Sequence, residues 1–203
     1  MHLAMKSRTR GFSLIEVLVA LLVISIGLLG IAKMQALALS NTNGGRLRAL
    51  AAIEAASLAS AMEAERNYWG NLTVTENVTV SSAAGSATVT SPQDTTLAGT
   101  VTCPASASAA ATTMTSCTGT VTCISTATPC NAQKMAAYDL QQWAGRLQEI
   151  MGTSASASVI CTATTPPVSC QITVNWAEQT VNSNTSEAGG TMGIPSYTLF
   201  VNP

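Results

Sequence analysis

The chain has 203 residues, which is long enough for one domain with its own hydrophobic core and short for two. Charged residues make up 9% of the chain, far below the roughly 25% of ordinary soluble domains, and the formal net charge is -1. This composition argues against a protein that binds nucleic acid regardless of sequence, because such binding requires many Lys and Arg side chains to neutralise phosphates. No nucleic-acid partner is expected.

A long apolar segment follows a short basic N-terminus. It runs from Phe12 to Ala32 and contains a single charged residue, Glu16. A helix rises about 1.5 Å per residue, so a segment of this length crosses the roughly 30 Å hydrocarbon core of a bilayer once. Because basic residues lie on its N-terminal side, the positive-inside rule places the N-terminus in the cytoplasm and the rest of the chain across the membrane. These basic residues are Lys6, Arg8 and Arg10.

Three interpretations of this segment compete. It could be a conventional secretory signal, since Ala36-Leu37-Ala38 resembles a cleavage site, or it could be a simple single-pass anchor. Neither interpretation explains the carboxylate near the start of the apolar run. An acidic side chain at the centre of a membrane helix costs about 2.5 to 3.5 kcal/mol, and less near an end. Glu16 therefore needs a partner or a specific function.

The third interpretation rests on the sequence Gly11-Phe12-Ser13-Leu14-Ile15-Glu16-Val17, where the basic start meets the apolar run. It resembles the type III signal of type IV pilins and pseudopilins. The resemblance implies that a prepilin peptidase cuts after Gly11 and methylates the new N-terminal amine of Phe12. It also implies that Glu16 pairs with the terminal amine of a neighbouring subunit during assembly, an ion pair that is strong only where water is excluded. The alternative is a glutamate stabilised merely by the dipole of its own helix.

The resemblance implies four segments along the chain. Residues 1–11 form a leader peptide, 12–32 a transmembrane helix, and 33–69 an amphipathic continuation of that helix. Residues 70–203 form the extracytoplasmic globular domain of a pilin. The expected fold class is α+β, with the long helix packed on a small antiparallel sheet domain that contains disulfides. The expected location is the bacterial inner membrane, in a single pass, and then the pilus on the cell surface.

An apolar stripe predicts that the N-terminal helix continues beyond the membrane. Its members recur every three or four positions and are Leu47, Ala51, Ala55, Leu58 and Met62. The charged residues expected elsewhere on the helix surface are Arg46, Arg48, Glu54, Glu63 and Glu65. Asn41–Gly45 could allow a bend, since each Gly costs about 1 kcal/mol relative to Ala. We expect the helix to end near Tyr68 to Gly70.

All six cysteines lie beyond the apolar segment, and they are Cys103, Cys117, Cys123, Cys130, Cys161 and Cys170. Disulfides persist in oxidising compartments, so an even number of cysteines here predicts three bridges. The first four lie within residues 71–133, a segment poor in large apolar side chains, and we expect their disulfides to stabilise it. No metal site is expected, because there is no Cys-x-x-Cys pair and the only histidine, His2, lies on the cytoplasmic side.

Alternating apolar residues predict short strands in 71–133 and at the C-terminus. These residues are Leu72, Val74, Val78 and Val80, then Val89, Val101 and Val121, and finally Tyr197, Leu199 and Val201. Between the two regions, a second helix is predicted from Asn131, a candidate cap, to Gly152. Its apolar stripe consists of Ala136, Leu140, Trp143, Leu147 and Ile150. At this spacing, Trp143 is expected to anchor the core and not to bind a ligand.

A hairpin is predicted after the second helix. Its strands contain residues 159–161 and 170–176, and the turn between them contains Pro166 and Pro167. Cys161 and Cys170 can face each other across this hairpin, so theirs is the first disulfide that we would assign. The sequence leaves the pairing of the other four cysteines open.

An enzymatic function is not expected. Catalysis by Ser-His-Asp or Cys-His groups needs a general base, and the chain contains no histidine after His2. The spacing of Asp139, Glu149 and Glu178 does not indicate a catalytic pair, and these carboxylates are better explained as solvated surface charges. The sequence has no glycine-rich phosphate loop, and no cofactor is expected.

The apolar segment that begins at Leu14 resembles that of the minor pilins called PilV, or type IV pilus modification proteins. A looser resemblance in order and spacing extends to the helix that contains Asp139, Leu140 and Trp143 and to the following strand that ends in Trp176. Major pilins usually carry helix-kinking prolines, whereas the first proline here is Pro92. The resemblance implies a minor pilin that helps to start pilus assembly at the tip and so supports twitching motility or adhesion. It implies as partners the prepilin peptidase, inner-membrane lipid, and other minor and major pilins that bind through the N-terminal helix. The alternatives are a type II secretion pseudopilin and a tip adhesin or ligand-binding module.

Overall fold

The structure is a computed structural model that describes residues 13–103, 117–123, 129–163, 167–178 and 194–203. The chain divides into two compact units, Met1–Thr42 and Asn43–Pro203. Within the described residues it forms three helices and six strands. The helices are α1 (Leu14–Ala64), α2 (Arg66–Trp69) and α3 (Ala132–Met151). The strands are β1 (Glu76–Ala83), β2 (Ser86–Thr90), β3 (Gly99–Thr102), β4 (Ser156–Thr162), β5 (Ser169–Asn175) and β6 (Ser196–Val201).

Helix α1 begins at the first residues that the structure describes. The carbonyl of Ser13 accepts hydrogen bonds from the backbone N–H groups of Glu16 and Val17, at 3.0 and 3.3 Å. The run of Leu, Ile, Val and Ala that follows contains no proline, and its polar Ser25 donates its hydroxyl to the carbonyl of Leu22. With this hydroxyl satisfied inside the helix, Ser25 does not require water.

The second half of α1 lies in the larger unit and carries the predicted apolar stripe. Ala51, Ala55, Leu58 and Met62 are buried in the core, and Leu47 packs against it half-buried. The sequence allows a bend at Asn41–Gly45, but α1 is helical throughout this segment. The sequence predicts that the long helix ends near Tyr68 to Gly70, but α1 itself ends at Ala64, and the short helix α2 with its cap Gly70 occupies the predicted end.

The six strands form one antiparallel sheet with the order β3-β2-β1-β4-β5-β6. Side chains alternate across it, so that on β1 Val78 and Val80 are buried while Thr79 is exposed. On β5, Cys170, Ile172 and Val174 are buried in the same way. Helix α3 lies against β1, β2 and β3, and the buried residues of α1, α3 and the sheet form one core. The α+β class predicted from the sequence is confirmed.

Three residues predicted to lie in strands lie outside them. Leu72 and Val74 precede β1, which begins at Glu76, and Val121 lies outside any strand. At Val121 the side chain of Gln141 takes the place of a neighbouring strand, because the backbone N–H of Val121 donates to Oε1 of Gln141 at 3.1 Å. A period-two pattern cannot reveal a hydrogen-bond partner that comes from a helix.

Helix α3 matches the predicted second helix at both ends. The side chain of Asn131 accepts a hydrogen bond from the backbone N–H of Lys134 at 2.9 Å, as an N-cap does. Gly152 ends the helix with φ of 83°, a conformation that favours glycine. The predicted stripe is buried except for Ile150, which is 41% exposed, while its neighbour Met151 is buried instead.

Trp143 anchors α3 to α1. Its ring is buried in the core, and its indole Nε1–H donates to the backbone carbonyl of Glu54 at 2.9 Å. The side chain of Glu54, which the sequence places on the surface, is buried as well. Burial follows from its position on the side of α1 that faces α3, next to the Trp143 ring.

The six cysteines form three disulfides, Cys103–Cys117, Cys123–Cys130 and Cys161–Cys170. The pair that the sequence favours first, Cys161 and Cys170, is bonded across directly opposed positions of β4 and β5. The Cys103–Cys117 bond lies so close to α3 that a Cβ on Gly145 would stand 2.8 Å from Cys117 Sγ. Glycine is therefore required at this point of the helix.

We expect the double variant Cys161→Ala/Cys170→Ala to lose about 2 to 4 kcal/mol of unfolding free energy, because the bond restricts the unfolded chain and its sulfurs fill the core. Urea unfolding of the purified chain measures the change. The matched control is Cys123→Ala/Cys130→Ala, whose cysteines are half-buried, and it should lose less. Equal stability of the first variant and the parent chain would contradict the expectation.

We also expect Trp143→Phe to cost about 1 kcal/mol more than Trp176→Phe, because only the first substitution removes a hydrogen bond. Both indoles are buried, but among the described residues Nε1 of Trp176 has no partner. The urea midpoints of the two variants give the comparison. If Trp176→Phe is the more destabilising of the two, the hydrogen bond to Glu54 does not stabilise the contact between α1 and α3.

Candidate functional site

The candidate assembly site is the start of the N-terminal helix. Glu16 lies in the first turn of α1 with an exposed side chain. Gly11 and Phe12, the predicted processing residues, lie outside the described residues, as does the basic segment before them. One turn further along α1 come Val19 and Ala20, whose side chains offer no hydrogen bond.

The surface around Glu16 is apolar on every side. From Leu14 to Ile31 the large apolar side chains are 48% to 81% exposed, and the described residues of this unit leave them uncovered. Monomeric soluble proteins rarely expose contiguous apolar surface on this scale. The helix is long and apolar enough to cross a membrane. Such a surface requires lipid or other apolar helices around it.

Placing this surface in lipid leaves the Glu16 carboxylate without a compensating charge. Among the described residues, the one ion pair joins Arg48 to Glu178, far along the chain from Glu16. The free N–H groups of the first helical turn give only a partial positive charge. The described residues of this unit therefore supply no full positive charge next to Glu16.

The larger unit contains a polar cavity of about 500 Å³ beside α2 and the start of β1. Asp94 is one of the residues that line it, and its Oδ2 accepts hydrogen bonds from the Tyr68 hydroxyl at 2.6 Å and from Gln133 Nε2 at 2.8 Å. Asp94 Oδ1 accepts the backbone N–H of Thr96 at 2.9 Å. The carboxylate is thus fully bonded to α2, α3 and its own loop, which makes it a structural connection between them.

These hydrogen bonds shift the titration of Asp94 and Tyr68. Partial burial by itself raises the pKa of the Asp94 carboxyl, but the bonds from Tyr68, Gln133 and Thr96 outweigh burial and hold the pKa below its ordinary value. Burial, together with the hydrogen bond to Asp94, raises the pKa of Tyr68 far above its ordinary value. Tyr68 is therefore a neutral donor and Asp94 a charged acceptor at neutral pH.

Glu76, at the start of β1, is a second carboxylate beside this cavity. It is buried, and the hydroxyl of Ser91 donates a short hydrogen bond to its Oε1. The same hydroxyl accepts the backbone N–H of Asp94 at 3.1 Å. Ser91 therefore connects the two acidic residues, and the connection fixes the loop after β2 to the first residue of β1.

The carboxylates that the sequence places on the surface have different environments. Glu149 is exposed, as expected. Glu178 is only 17% exposed and pairs with Arg48 at 3.3 Å, so it ties the segment after β5 to α1. Asp139 is half-buried on α3, where burial raises the pKa of its carboxyl although Arg146 partly opposes the shift. For Glu178 and Asp139 the solvated-surface prediction is wrong, because packing of α1 and α3 covers them.

Three potential metal ligands come together at Cys103, Cys117 and Glu149. The two sulfurs are bonded to each other, so neither is a thiolate that could bind a metal ion. Among the described residues, this arrangement supports a structural disulfide and no metal centre.

Residues 6–32 match the family model described as the prokaryotic N-terminal methylation motif. No curated protein and no solved structure matches the chain. The match supports a type IV pilin-like or pseudopilin protein, a structural class and not an enzymatic one. It ends where the apolar segment ends, and so it does not distinguish a PilV-type minor pilin from other pilin-like proteins. Together with the apolar helix, it indicates membrane anchoring.

Sequence reasoning missed the polar network of the larger unit. Tyr68 and Gln133 lie 26 and 39 residues from Asp94, the residue that they contact. Gln141 is fully buried, and its Oε1 accepts the hydroxyl of Thr120 and the N–H of Val121. In the sequence it stands between Leu140 and the polar Gln142, which indicates neither its burial nor its partners.

The network predicts an acid-sensitive contribution to stability. The folded pKa of Asp94 lies below its unfolded value of about 3.9, so the contribution is present above that pH and disappears as the pH falls through the folded pKa. Tyr68→Phe removes one of the bonds that hold this pKa down, so the variant should be less stable at pH 7 and should lose less stability on acidification. Urea unfolding between about pH 3 and pH 7 measures both effects.

Tyr138→Phe is the control for this substitution. Tyr138 lies on α3, half-buried, and among the described residues its hydroxyl makes no hydrogen bond. It should unfold with the pH dependence of the parent chain. If both variants behave alike, the Tyr68 hydroxyl does not act on Asp94.

Proposed function

We propose that the chain is a minor pilin of a type IV pilus that helps to start pilus assembly as part of a tip complex. The observation that carries this proposal is a glutamate near the start of a long apolar segment. Glu16 lies four residues after Phe12 and five after Gly11, in a segment that matches the methylation motif. Motility and adhesion would depend on it through the pilus.

Processing and assembly are linked by charge. Cleavage after Gly11 would remove the basic leader and leave a new amine at Phe12. That amine and Glu16 lie about one helical turn apart, so each subunit would carry one positive and one negative group at depths that differ by about 6 Å. Two adjacent subunits displaced along their axes can then pair the amine of one with the carboxylate of the other. Apolar helix packing would supply the rest of the contact.

The minor-pilin assignment within this class depends on two sequence features. The first proline of the chain is Pro92, so α1 has none of the kinking prolines that major pilins usually carry. The order of α3 and the β4–β5 hairpin resembles that of PilV-type minor pilins. A minor pilin is present in few copies, so its helix does not have to pack as a repeating subunit along the whole pilus.

The proposed location is the inner membrane, in a single pass with a cytoplasmic N-terminus, and afterwards the pilus. The partners would be the prepilin peptidase, inner-membrane lipid, and other minor and major pilins that bind through the N-terminal helix. A type II secretion pseudopilin shares these N-terminal features and is the second candidate. Recovery of the chain with sheared surface pili favours the pilus, whereas retention in the envelope together with a secretion defect favours the pseudopilus.

Intact mass and N-terminal sequencing of the membrane-extracted protein test the processing step. We expect the chain to start at Phe12 and to carry one additional methyl group on its amine. A start near Leu39 would identify a secretory signal instead. Retention of the first eleven residues would identify a simple anchor.

We expect Glu16→Gln to reach the membrane in normal amounts and to be recovered from pili at a level lower by about 100-fold or more. Leaving one partner of a desolvated ion pair without the other costs about 3 to 5 kcal/mol. Glu63→Gln is the matched control, because Glu63 is an exposed glutamate near the end of the same helix. Quantitative immunoblots of membrane and pilus fractions give the ratio. Equal recovery of both variants would contradict an assembly role for Glu16.

A further inference from the structure

The two edges of the sheet differ in how they are covered. Beyond β3, Thr102 and Thr118 exchange two backbone hydrogen bonds of 2.9 Å, and the Cys103–Cys117 disulfide holds this contact in place. The opposite edge is β6. In the part of the chain that the structure describes, β5 is the only strand that pairs with β6. A strand in this position presents unpaired backbone donors and acceptors, which form a template for another strand.

The register shows which backbone groups of β6 face outward. The N–H of Trp176 donates to the carbonyl of Pro195 at 3.2 Å, so these two residues form a hydrogen-bonded pair. Such pairs alternate with non-hydrogen-bonded pairs along an antiparallel ladder. Tyr197, Leu199 and Val201 therefore bond to β5. The backbone groups of the alternate residues point away from β5, and these residues are Ser196, Thr198 and Phe200.

A side-chain contact supports this assignment. Thr173 and Thr198 face each other across β5 and β6, and their hydroxyl oxygens are 3.3 Å apart. Side chains approach most closely in non-hydrogen-bonded pairs, which is the type assigned here to this pair. The free edge of β6 thus carries three N–H groups and three carbonyl groups in regular alternation.

The side chains of β6 do not protect this edge. The strand contains no charged residue and no proline, and its register with β5 is uninterrupted over all six residues. In natural proteins a charged side chain, a proline or a β-bulge usually prevents an edge strand from pairing with another chain. Phe200 is 69% exposed and lies in the same cross-strand row as Ile160, with Gln171 between them. Ile194, just before the strand, is 70% exposed.

We propose that the edge of β6 binds an extended, uncharged strand from a different subunit of the assembly and so extends the sheet to seven strands. This inference rests on the proposed function in one respect, because the proposed function identifies the assembly that contains the partner subunit. The partner strand needs free N–H and carbonyl groups at alternate residues and an apolar side chain beside Phe200. A charged side chain there would lose water without gaining an opposite charge, since β6 has none.

A second copy of this chain is a poorer occupant. Antiparallel pairing of β6 with itself relates the two copies by a rotation of 180° about the sheet normal. The portions of α1 that pack on the two sheets would then run in opposite directions. Antiparallel self-pairing is therefore restricted to copies whose larger units point in opposite directions along α1. A strand of another polypeptide, in either direction, is free of this restriction.

Hydrogen–deuterium exchange with residue-level readout tests the proposal on the full chain, purified in detergent and retained in its native envelope or pilus fraction. In detergent the amides of Ser196, Thr198 and Phe200 should exchange fast while those of Tyr197, Leu199 and Val201 exchange slowly. In the native fraction all six should exchange slowly. Fast exchange of the outward amides in both samples would overturn the proposal. Slow exchange already in detergent would also overturn it, because residues of the same chain would then cover the edge.

The variant Thr198→Pro tests the same edge in cells. It removes one outward N–H without removing a bond to β5, and proline is tolerated on edge strands. Thr198→Ala keeps the N–H and is the matched control. We expect a roughly tenfold or greater fall in assembled protein for the proline variant alone, the change that one lost backbone hydrogen bond can produce. Equal recovery of both variants would overturn the proposal.

Two further results separate this inference from the proposed function. If the parent chain never reaches the pilus fraction, the proposed function fails, while exchange in the envelope fraction still decides whether β6 is covered. A Thr198→Cys chain that forms a disulfide-linked dimer with itself would identify a second copy as the occupant. That result would overturn the assignment to a different subunit.

Discussion

Desolvation of the Glu16 carboxylate is the constraint on which the proposed function depends. A charge near the start of an apolar helix of this length is costly in lipid unless a group of opposite charge neutralises it. If a neighbouring subunit supplies a cation at the same depth, as proposed, the residue makes isolation in lipid unfavourable and association favourable. In the proposed function, the larger unit has to present its surfaces to neighbours whose positions the helices have already set.

The larger unit achieves its stability with few charges and few large side chains. Its sheet is rich in Thr, Ser and Val, and the helical layer of α1 and α3 covers one face. Several polar groups that this packing covers are bonded to one another, as Asp94 is to Tyr68 and as Trp143 is to Glu54, although Nε1 of Trp176 has no partner among the described residues. Buried polar groups that are satisfied in this way specify one arrangement of elements without the cost of an unpaired group.

Features that depend on local sequence could be predicted, and features that depend on distant partners could not. The N-terminal signal, the cap at Asn131 and the stripe of α1 are each contained within a few turns of chain. The exposed edge of β6 depends on strand order, which alternation does not encode, and the network at Asp94 joins residues from three separate elements. The predicted burial of Ile150 is wrong by one position only, because in the last turn of α3 the buried residue is its neighbour Met151.

The placement of the disulfides has a mechanical consequence. Each bond closes a short loop, with sequence separations of 14, 7 and 9, and none of them involves α1. A pulling force applied through the N-terminal helix would therefore meet no covalent cross-link between that helix and the sheet. The load would fall on the packing of Leu58 and Met62, on the hydrogen bond from Trp143 and on the ion pair between Arg48 and Glu178. Under tension, α1 is the element that would detach first, while the cross-linked sheet would remain folded.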